Sequence, residues 1–345
     1  MKFSKGHAVG VAAAYAVFLA ICAPAVAQQD QIAAMISRLD PSNSFKVRVQ
    51  AAILLGRAGD KRAIAPLIEC LKDEDFIIRG SAVIALGNIG DPSASQAIVG
   101  ALKDNEELVR TEARNSLIKL SRNPETVKAI LGAFQGGDIR VRGGMLAVLG
   151  ALKDDEAVGA LASALGDPGP GGISDAAVIV VAELGKDKAS KVLNKALDSQ
   201  VVAARMKAID VIGRLKYQEF IGRLASIMVT DTSGQEARAA RDALMKMRQF
   251  INSSQLAALA KGQDKAWRDK AIMLLGISGD ETGFRTLMDL LQDPDVYIRG
   301  RAAQALVVAG DKRAIPKLEK MLRDKGNERI AEILLNSLKV LRRSE

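Results

Sequence analysis

The chain has 345 residues, with 49 Lys and Arg against 40 Asp and Glu, a formal net charge of +9, one histidine and two cysteines. Its residues are 48% hydrophobic but only 3% aromatic, so a large core must be built from Ala, Leu, Ile and Val, a composition that suits close helix packing. So few histidines and cysteines exclude imidazole clusters, zinc sites and a disulfide framework.

At the amino terminus, Lys2 and Lys5 precede an apolar stretch from Ala8 to Cys22, which is followed by the small-x-small run Ala25-Val26-Ala27. This is the pattern of a bacterial secretory signal peptide over residues 1–27, cleaved after Ala27, and it predicts a periplasmic or secreted protein. The apolar stretch is shorter than the roughly 20 residues of a membrane-spanning helix and Pro24 follows it, so no transmembrane segment is expected in the mature chain. Leu19-Ala20-Ile21-Cys22 resembles a lipoprotein processing site except that Ile21 is not small; a lipid anchor on Cys22 is the alternative. Cleavage removes His7 and Cys22, leaving no histidine, the lone thiol of Cys70 and a net charge of +7, read as spread along the chain.

Beyond the leader, Ile32, Met35, Ile36 and Leu39 predict a lone helix that caps the amino end. Arginines then recur at Arg48, Arg79, Arg110, Arg142, Arg205, Arg238, Arg268, Arg299 and Arg329, with spacings of 31, 31, 32, 63, 33, 30, 31 and 30. The long gap is two periods, with Ala177 in the vacant slot. Such a period is the signature of a helical solenoid. Five of these arginines are followed eight residues later by Gly56, Gly87, Gly150, Gly213 and Gly276, which suggests a first helix capped near that glycine by a positive φ. Gly-Asp pairs follow at Gly59-Asp60, Gly90-Asp91, Gly279-Asp280 and Gly310-Asp311, where the aspartate can cap a second helix.

The second helix shows apolar residues four apart, as in Ala63/Leu67/Leu71, Ala189/Leu193/Leu197 and Ala314/Leu318/Leu322. One pair cannot cover its own apolar face, so neighbouring pairs must stack. Aspartates 73, 104, 198, 293 and 324 close successive units. The run Gly166-Asp167-Pro168-Gly169-Pro170-Gly171-Gly172 cannot be helical and marks a joint over 166–172. A final helix from Arg329 to Leu341 carries an outer polar face of Glu332, Asn336, Lys339, Arg342 and Arg343.

The pattern V-R-x-x-A-A-x-x-L-G-x-x-G-D-x-x-A-x-x-x-L, seen from Val47-Arg48 to Leu67 and again from Ile298-Arg299 to Leu318, resembles HEAT repeats of the short, phycobilisome-lyase-like kind. The resemblance covers roughly residues 30–342 and implies an all-α fold, a right-handed α-α superhelix of about nine to ten helical pairs, over residues 28–345. It also suggests two activities. Bilin lyases of this family hold a tetrapyrrole, although no residue here singles out a chromophore site. Deoxyhypusine hydroxylases bind iron through His-Glu pairs, and a mature chain without histidine has none.

The repeated arginines are read as a structural ladder, each bonded to an aspartate or carbonyl of its own or the next turn, rather than as a grip for a polyanion. Nucleic acid is not an expected partner. Cys70 falls in an apolar row and reads as a packed core thiol. Trp267 reads as first-turn packing, with an interface anchor as the alternative. No catalytic, metal or cofactor residues are identified, and the chain reads as a monomeric, non-catalytic scaffold or adaptor for a protein or peptide. The resemblance implies that second helices line the concave face. There Gly100, Gly159, Ser163, Gly222 and Ser226 form a small-residue floor, and Lys191, Lys195, Arg285, Asp289 and Lys320 form a charged row that favours an acidic segment.

Overall fold

The computed structural model describes residues 31–152, 155–167, 173–231 and 234–343. The expected signal segment and residues 168–172 of the expected joint lie outside the described residues. All regular structure among the described residues is helical, and the helices form pairs of the α-α superhelix class. The chain divides into two compact units, residues 1–161 with 169–184, and residues 162–168 with 185–345.

In the first unit a helix over residues 31–37, α1, is followed by α2 (Phe45–Ala58), α3 (Ile64–Cys70), α4 (Phe76–Ile89), α5 (Ser95–Gly100), α6 (Glu107–Leu120), α7 (Pro124–Gly136), α8 (Ile139–Ala151), α9 (Asp155–Leu165, which ends in the second unit) and α10 (Ile173–Glu183). The first helices stack in order, α2 on α4, α4 on α6 and α6 on α8, while each second helix packs beside them. The second unit continues with α11 (Lys186–Leu197), α12 (Val202–Leu215), α13 (Ile221–Thr230), α14 (Gln235–Lys246), α15 (Ser253–Ala260), α16 (Lys265–Ser278), α17 (Glu281–Leu290), α18 (Val296–Ala309), α19 (Ile315–Leu322) and α20 (Ala331–Arg343). Here too α12 packs on α14, α16 on α18 and α18 on α20.

The turns arise from local chemistry. Gly59, Gly90, Gly279 and Gly310 adopt φ between 62° and 79°, which glycine reaches without a Cβ penalty, and so they terminate the first helices. The aspartate after each glycine caps the succeeding helical turn: Asp60 accepts from the Arg62 amide, Asp91 from Ser93, Asp280 from Gly283 and Asp311 from Arg313. At the end of α12 the corresponding cap is Lys216 at φ 54°, the one non-glycine residue with positive φ among those described.

The glycine that follows five of the arginines by eight residues does not cap its helix; this corrects the expectation from spacing. It lies within the first helix, at the point of closest approach to the next repeat. A β-carbon on Gly56 would lie 2.7 Å from Ala85 Cα, one on Gly87 2.4 Å from Ser116 Oγ, and one on Gly276 2.5 Å from the Ala305 carbonyl oxygen. At Gly56 and Gly276 the helices therefore meet backbone to backbone, at Gly87 a serine side chain fills the space, and in each case the missing side chain sets the separation. Around these contacts Leu55, Leu67, Leu86, Ile98, Leu102 and Leu117 are fully buried, each contributing roughly 1.5–3 kcal/mol by leaving water.

Two second helices, α7 and α15, begin their inner rows with polar residues. Thr126 is buried and its hydroxyl lies 2.8 Å from that of Ser95 in the preceding repeat, while the Ser253 hydroxyl donates to Asp280. Each polar group is thus satisfied by a neighbour, which removes the cost of burying it.

Candidate functional site

The arginines sit where one repeat meets the next. Arg48 is 8% exposed; its Nε donates to the Leu39 carbonyl at 3.0 Å and its guanidinium pairs with Asp73. Arg79 grips Asp104 through two bonds of 2.7 and 2.8 Å and also donates to the carbonyls of Asp73 and Glu74. Arg268 donates to the Ala260 carbonyl at 3.0 Å and pairs with Asp293 at 2.6 Å. In each of these cases the carboxylate lies 25 residues downstream. Arg205 instead takes Glu236, 31 residues on. Arg299 reaches Asn327 at 2.8 Å and the carbonyls of Asp293 and Gly326.

The remaining four differ. Arg110 bonds within its own repeat, to Glu107 and the carbonyls of Asp104 and Asn105. Arg142 donates to the Phe134 carbonyl and lies 5.3 Å over that ring, and Arg238 reaches the Gly234 carbonyl. Arg329 is exposed in the 3-10 turn before α20 and its side chain makes no hydrogen bond among the described residues; the turn's inner position belongs to Asn327.

These contacts fix the titration behaviour of the turns. The Arg79 guanidinium holds the Asp104 carboxyl below the usual range, and Lys61 lowers Asp91 from 3.8 to about 2. Arg114, followed by Arg110, lowers Glu107 from 4.5 to about 2. All are depressed in the folded chain. Below the unfolded values the unfolded chain binds more protons, so these groups stabilise above about pH 4.5 and lose that stabilisation as pH falls toward 2. A thermal unfolding midpoint followed from pH 7 to 2 is expected to hold to about pH 4.5 and then drop; a flat profile would contradict the pairing.

Cys70 is buried at the end of α3, and burial pushes its thiol up. A low-pKa nucleophile is the opposite case. We expect the native chain to react with an aromatic disulfide reagent at neutral pH only after denaturant is added, and Cys70→Ala to leave partner binding intact. Fast native labelling would show an accessible thiolate.

The residues expected on the second-helix face are indeed at the surface. Lys191 and Lys195 are exposed on α11, Arg285 and Asp289 on α17, and Lys320 on α19. Arg285 donates to Glu281 at 2.8 Å and Asp289 pairs with Lys261 at 3.1 Å, so those two are engaged within their own neighbourhood. In the small-residue floor, Gly100, Ser163 and Gly222 are exposed and Gly159 and Ser226 half-buried. Trp267 does not pack into its first turn: it is 48% exposed, with the Lys270 ammonium 4.9 Å above its ring.

A cavity of about 950 Å³ opens beside Lys320, between the end of α17 and α19, and is lined also by Leu291, Pro316, Lys317, Met321, Arg323 and Asn327. A second, of about 660 Å³, lies between α19 and α20 and shares Glu319 and Arg323 with the first. Sequence reasoning found Lys320 but missed Lys317 and Arg323. It also read the positive charge as even, whereas residues 312–345 hold ten Lys and Arg against five Asp and Glu, an excess of five within the chain's formal net charge of +9. That asymmetry was countable from the sequence. No group of three or more His, Cys, Asp or Glu suited to a metal occurs among the described residues, and none of their helices is long and apolar enough to cross a membrane.

Known proteins share this repeat. The profile of HEAT repeats matches residues 32–118 and 253–339. A phycocyanobilin lyase subunit alpha from Picosynechococcus sp. is 37% identical over 73 residues, which is 19% of this chain and 27% of that protein. Among solved structures, human deoxyhypusine hydroxylase aligns at 18% identity over 83% of this chain and 98% of its own, with a TM-score of 0.33. The CpcE and CpcF complex of phycocyanin lyase from Nostoc sp. aligns at 17% identity over 89% and 93%, with a TM-score of 0.30.

Proposed function

Because the chain belongs to the HEAT-repeat family, we propose that it is a non-catalytic scaffold or adaptor that binds a protein or peptide on the face built from its second helices. The observation that carries this reading is the cavity of about 950 Å³ beside Lys320, where charged side chains surround the apolar walls of Leu291, Pro316 and Met321. Interfaces between proteins combine apolar centres with polar rims in this way. The leader pattern of residues 1–27 supports export, with the scaffold acting in the periplasm or the medium after cleavage behind Ala27, or tethered by lipid if Cys22 is processed instead. Mass spectrometry of the amino terminus separates the two.

The test is a crosslinked pull-down from the native envelope fraction, comparing the mature chain with Lys191→Glu/Lys195→Glu/Lys320→Glu. A partner captured by the first and lost by the second supports the scaffold and its face. Equal capture keeps the scaffold and moves its site, and failure to capture any protein counts against it. The 73-residue likeness to a phycocyanobilin lyase subunit favours a second reading, a protein or chaperone for cofactor attachment. A shift in phycocyanobilin absorbance on mixing with the chain would support that reading, and an unchanged spectrum would oppose it.

A further inference from the structure

We propose that the partner segment docks across α19 and that it is an acidic polypeptide stretch with apolar residues between its carboxylates, supplied by another protein. The inference rests on the scaffold reading above and adds the partner's chemistry.

The acids at the larger cavity are already engaged. Asp293 pairs with Arg268 and accepts from the Asp295 amide, Glu319 pairs with Arg342, and Asp324 caps the Gly326 amide. Arg299 is likewise spent, on Asn327 and three carbonyls. Lys317, Lys320 and Arg323 line the same cavity, and their side chains have no hydrogen bond or ion pair among the described residues. In the adjoining cavity, Lys339 and Arg343 are in the same condition. Five cations therefore face two adjoining hollows whose acids are already engaged.

The dimensions favour a polymer over a small anion. The hollows hold about 950 and 660 Å³ and share Glu319 and Arg323 as a common wall, so a phosphate-sized ion would meet only a fraction of the cations. Residues three apart on a helix rise about 4.5 Å, which spreads Lys317, Lys320 and the C-capping Arg323 over about 9 Å along α19 and its end. Carboxylates on alternate residues of an extended chain recur at roughly 6.6 Å, a comparable pitch. Apolar surface accompanies the cations: Pro316 in one hollow and Leu322 and Leu335 in the other, with the buried Leu291, Met321 and Leu338 beneath them. No aromatic ring lines either hollow, so the stacking platform that single-stranded nucleic acid uses is missing there.

A capped, fluorescein-labelled heptapeptide with glutamate at five positions and leucine at two is the probe, read by anisotropy against the mature chain. Its analogue with glutamine for glutamate, inorganic phosphate and a labelled thymidine oligonucleotide are the comparisons. The glutamate peptide is expected to bind at least about tenfold more tightly than the glutamine analogue, and to weaken as salt is raised. Lys317→Glu/Lys320→Glu/Arg323→Glu should weaken it by about tenfold or more, while Lys46→Glu/Arg57→Glu, two exposed positions on α2 of the first unit, should bind it as the unaltered chain does. Circular dichroism checks folding, and Lys317→Gln/Lys320→Gln/Arg323→Gln, which adds no repulsion, provides the same test if the reversed chain does not fold. Equal binding of the glutamine analogue, competition by phosphate alone, tighter binding of the oligonucleotide, undiminished binding by both α19 variants, or no binding of the glutamate peptide at millimolar concentration would each overturn the inference. An envelope partner captured through Lys191 and Lys195, with no binding of the glutamate peptide, would leave the scaffold reading standing and sink this one alone.

Discussion

Gly276→Leu is expected to destabilise the second unit by about 3 kcal/mol or more, toward the upper end of what overpacking costs. The cost comes from the atoms a new β-carbon would meet. It would stand 2.5 Å from the Ala305 carbonyl oxygen and 3.0 Å from its carbonyl carbon and Cα, all backbone atoms of α18. A flexible side chain could swing aside, but a helix backbone can only translate, and translation of α18 would strain its packing on α20 as well as on α16. Gly100→Ala is the internal control. It lies at the end of α5 with nothing within 4 Å of its built β-carbon, so it should change stability by less than about 0.5 kcal/mol. Denaturant titration of both variants reads the difference. If Gly276→Leu unfolds at the unaltered midpoint, the close approach of α16 and α18 is wrong.

Asp73→Ala is expected to cost about 3 kcal/mol, through the charge it leaves behind. Arg48 is 8% exposed and would keep only the Leu39 carbonyl and the neutral Cys70 thiol beside it, neither of which balances its charge, while the Asp75 amide would lose its acceptor. The double change Arg48→Met/Asp73→Leu removes both charges and should recover most of the loss, since an apolar pair of similar volume replaces a buried ion pair at little net cost. Equal destabilisation by the single and double changes would mean that the turn's shape matters rather than its charge.

Much of the repeat was legible in the sequence because each rule acts within a few residues. A glycine followed by aspartate marks a helix end and the next helix start, and the structure places Gly59-Asp60 and Gly310-Asp311 in those roles. The second-helix rows were legible for the same reason. What escaped was non-local. The spacing that pointed to Gly276 could not say whether it met solvent or the backbone of Ala305 29 residues later, and only the latter explains a glycine inside a helix. The helices α7 and α15 carry no such apolar row in the sequence because Thr126 and Ser253 interrupt it, and their partners Ser95 and Asp280 lie in adjacent repeats. Arg329 kept the period while its side chain left the ladder, because the 3-10 turn of Lys325–Ile330 presents Asn327 inward instead. In the candidate site, Lys320 could be read from its row, but which neighbouring acids were already committed required the folded pairs.

The bare contact at Gly56, Gly87 and Gly276 separates the residues that keep the molecule folded from those it displays. Stacking is decided on the first helices by atoms that tolerate no enlargement, whereas Gly100, Gly132, Gly136 and Gly222 on second helices have open space where a side chain would grow. Mutations can therefore accumulate on the second-helix face without passing through an unstable intermediate. Enlarging a side chain at the open second-helix glycines leaves the stack untouched, whereas enlarging one at Gly56 or Gly276 forces a neighbouring helix to move.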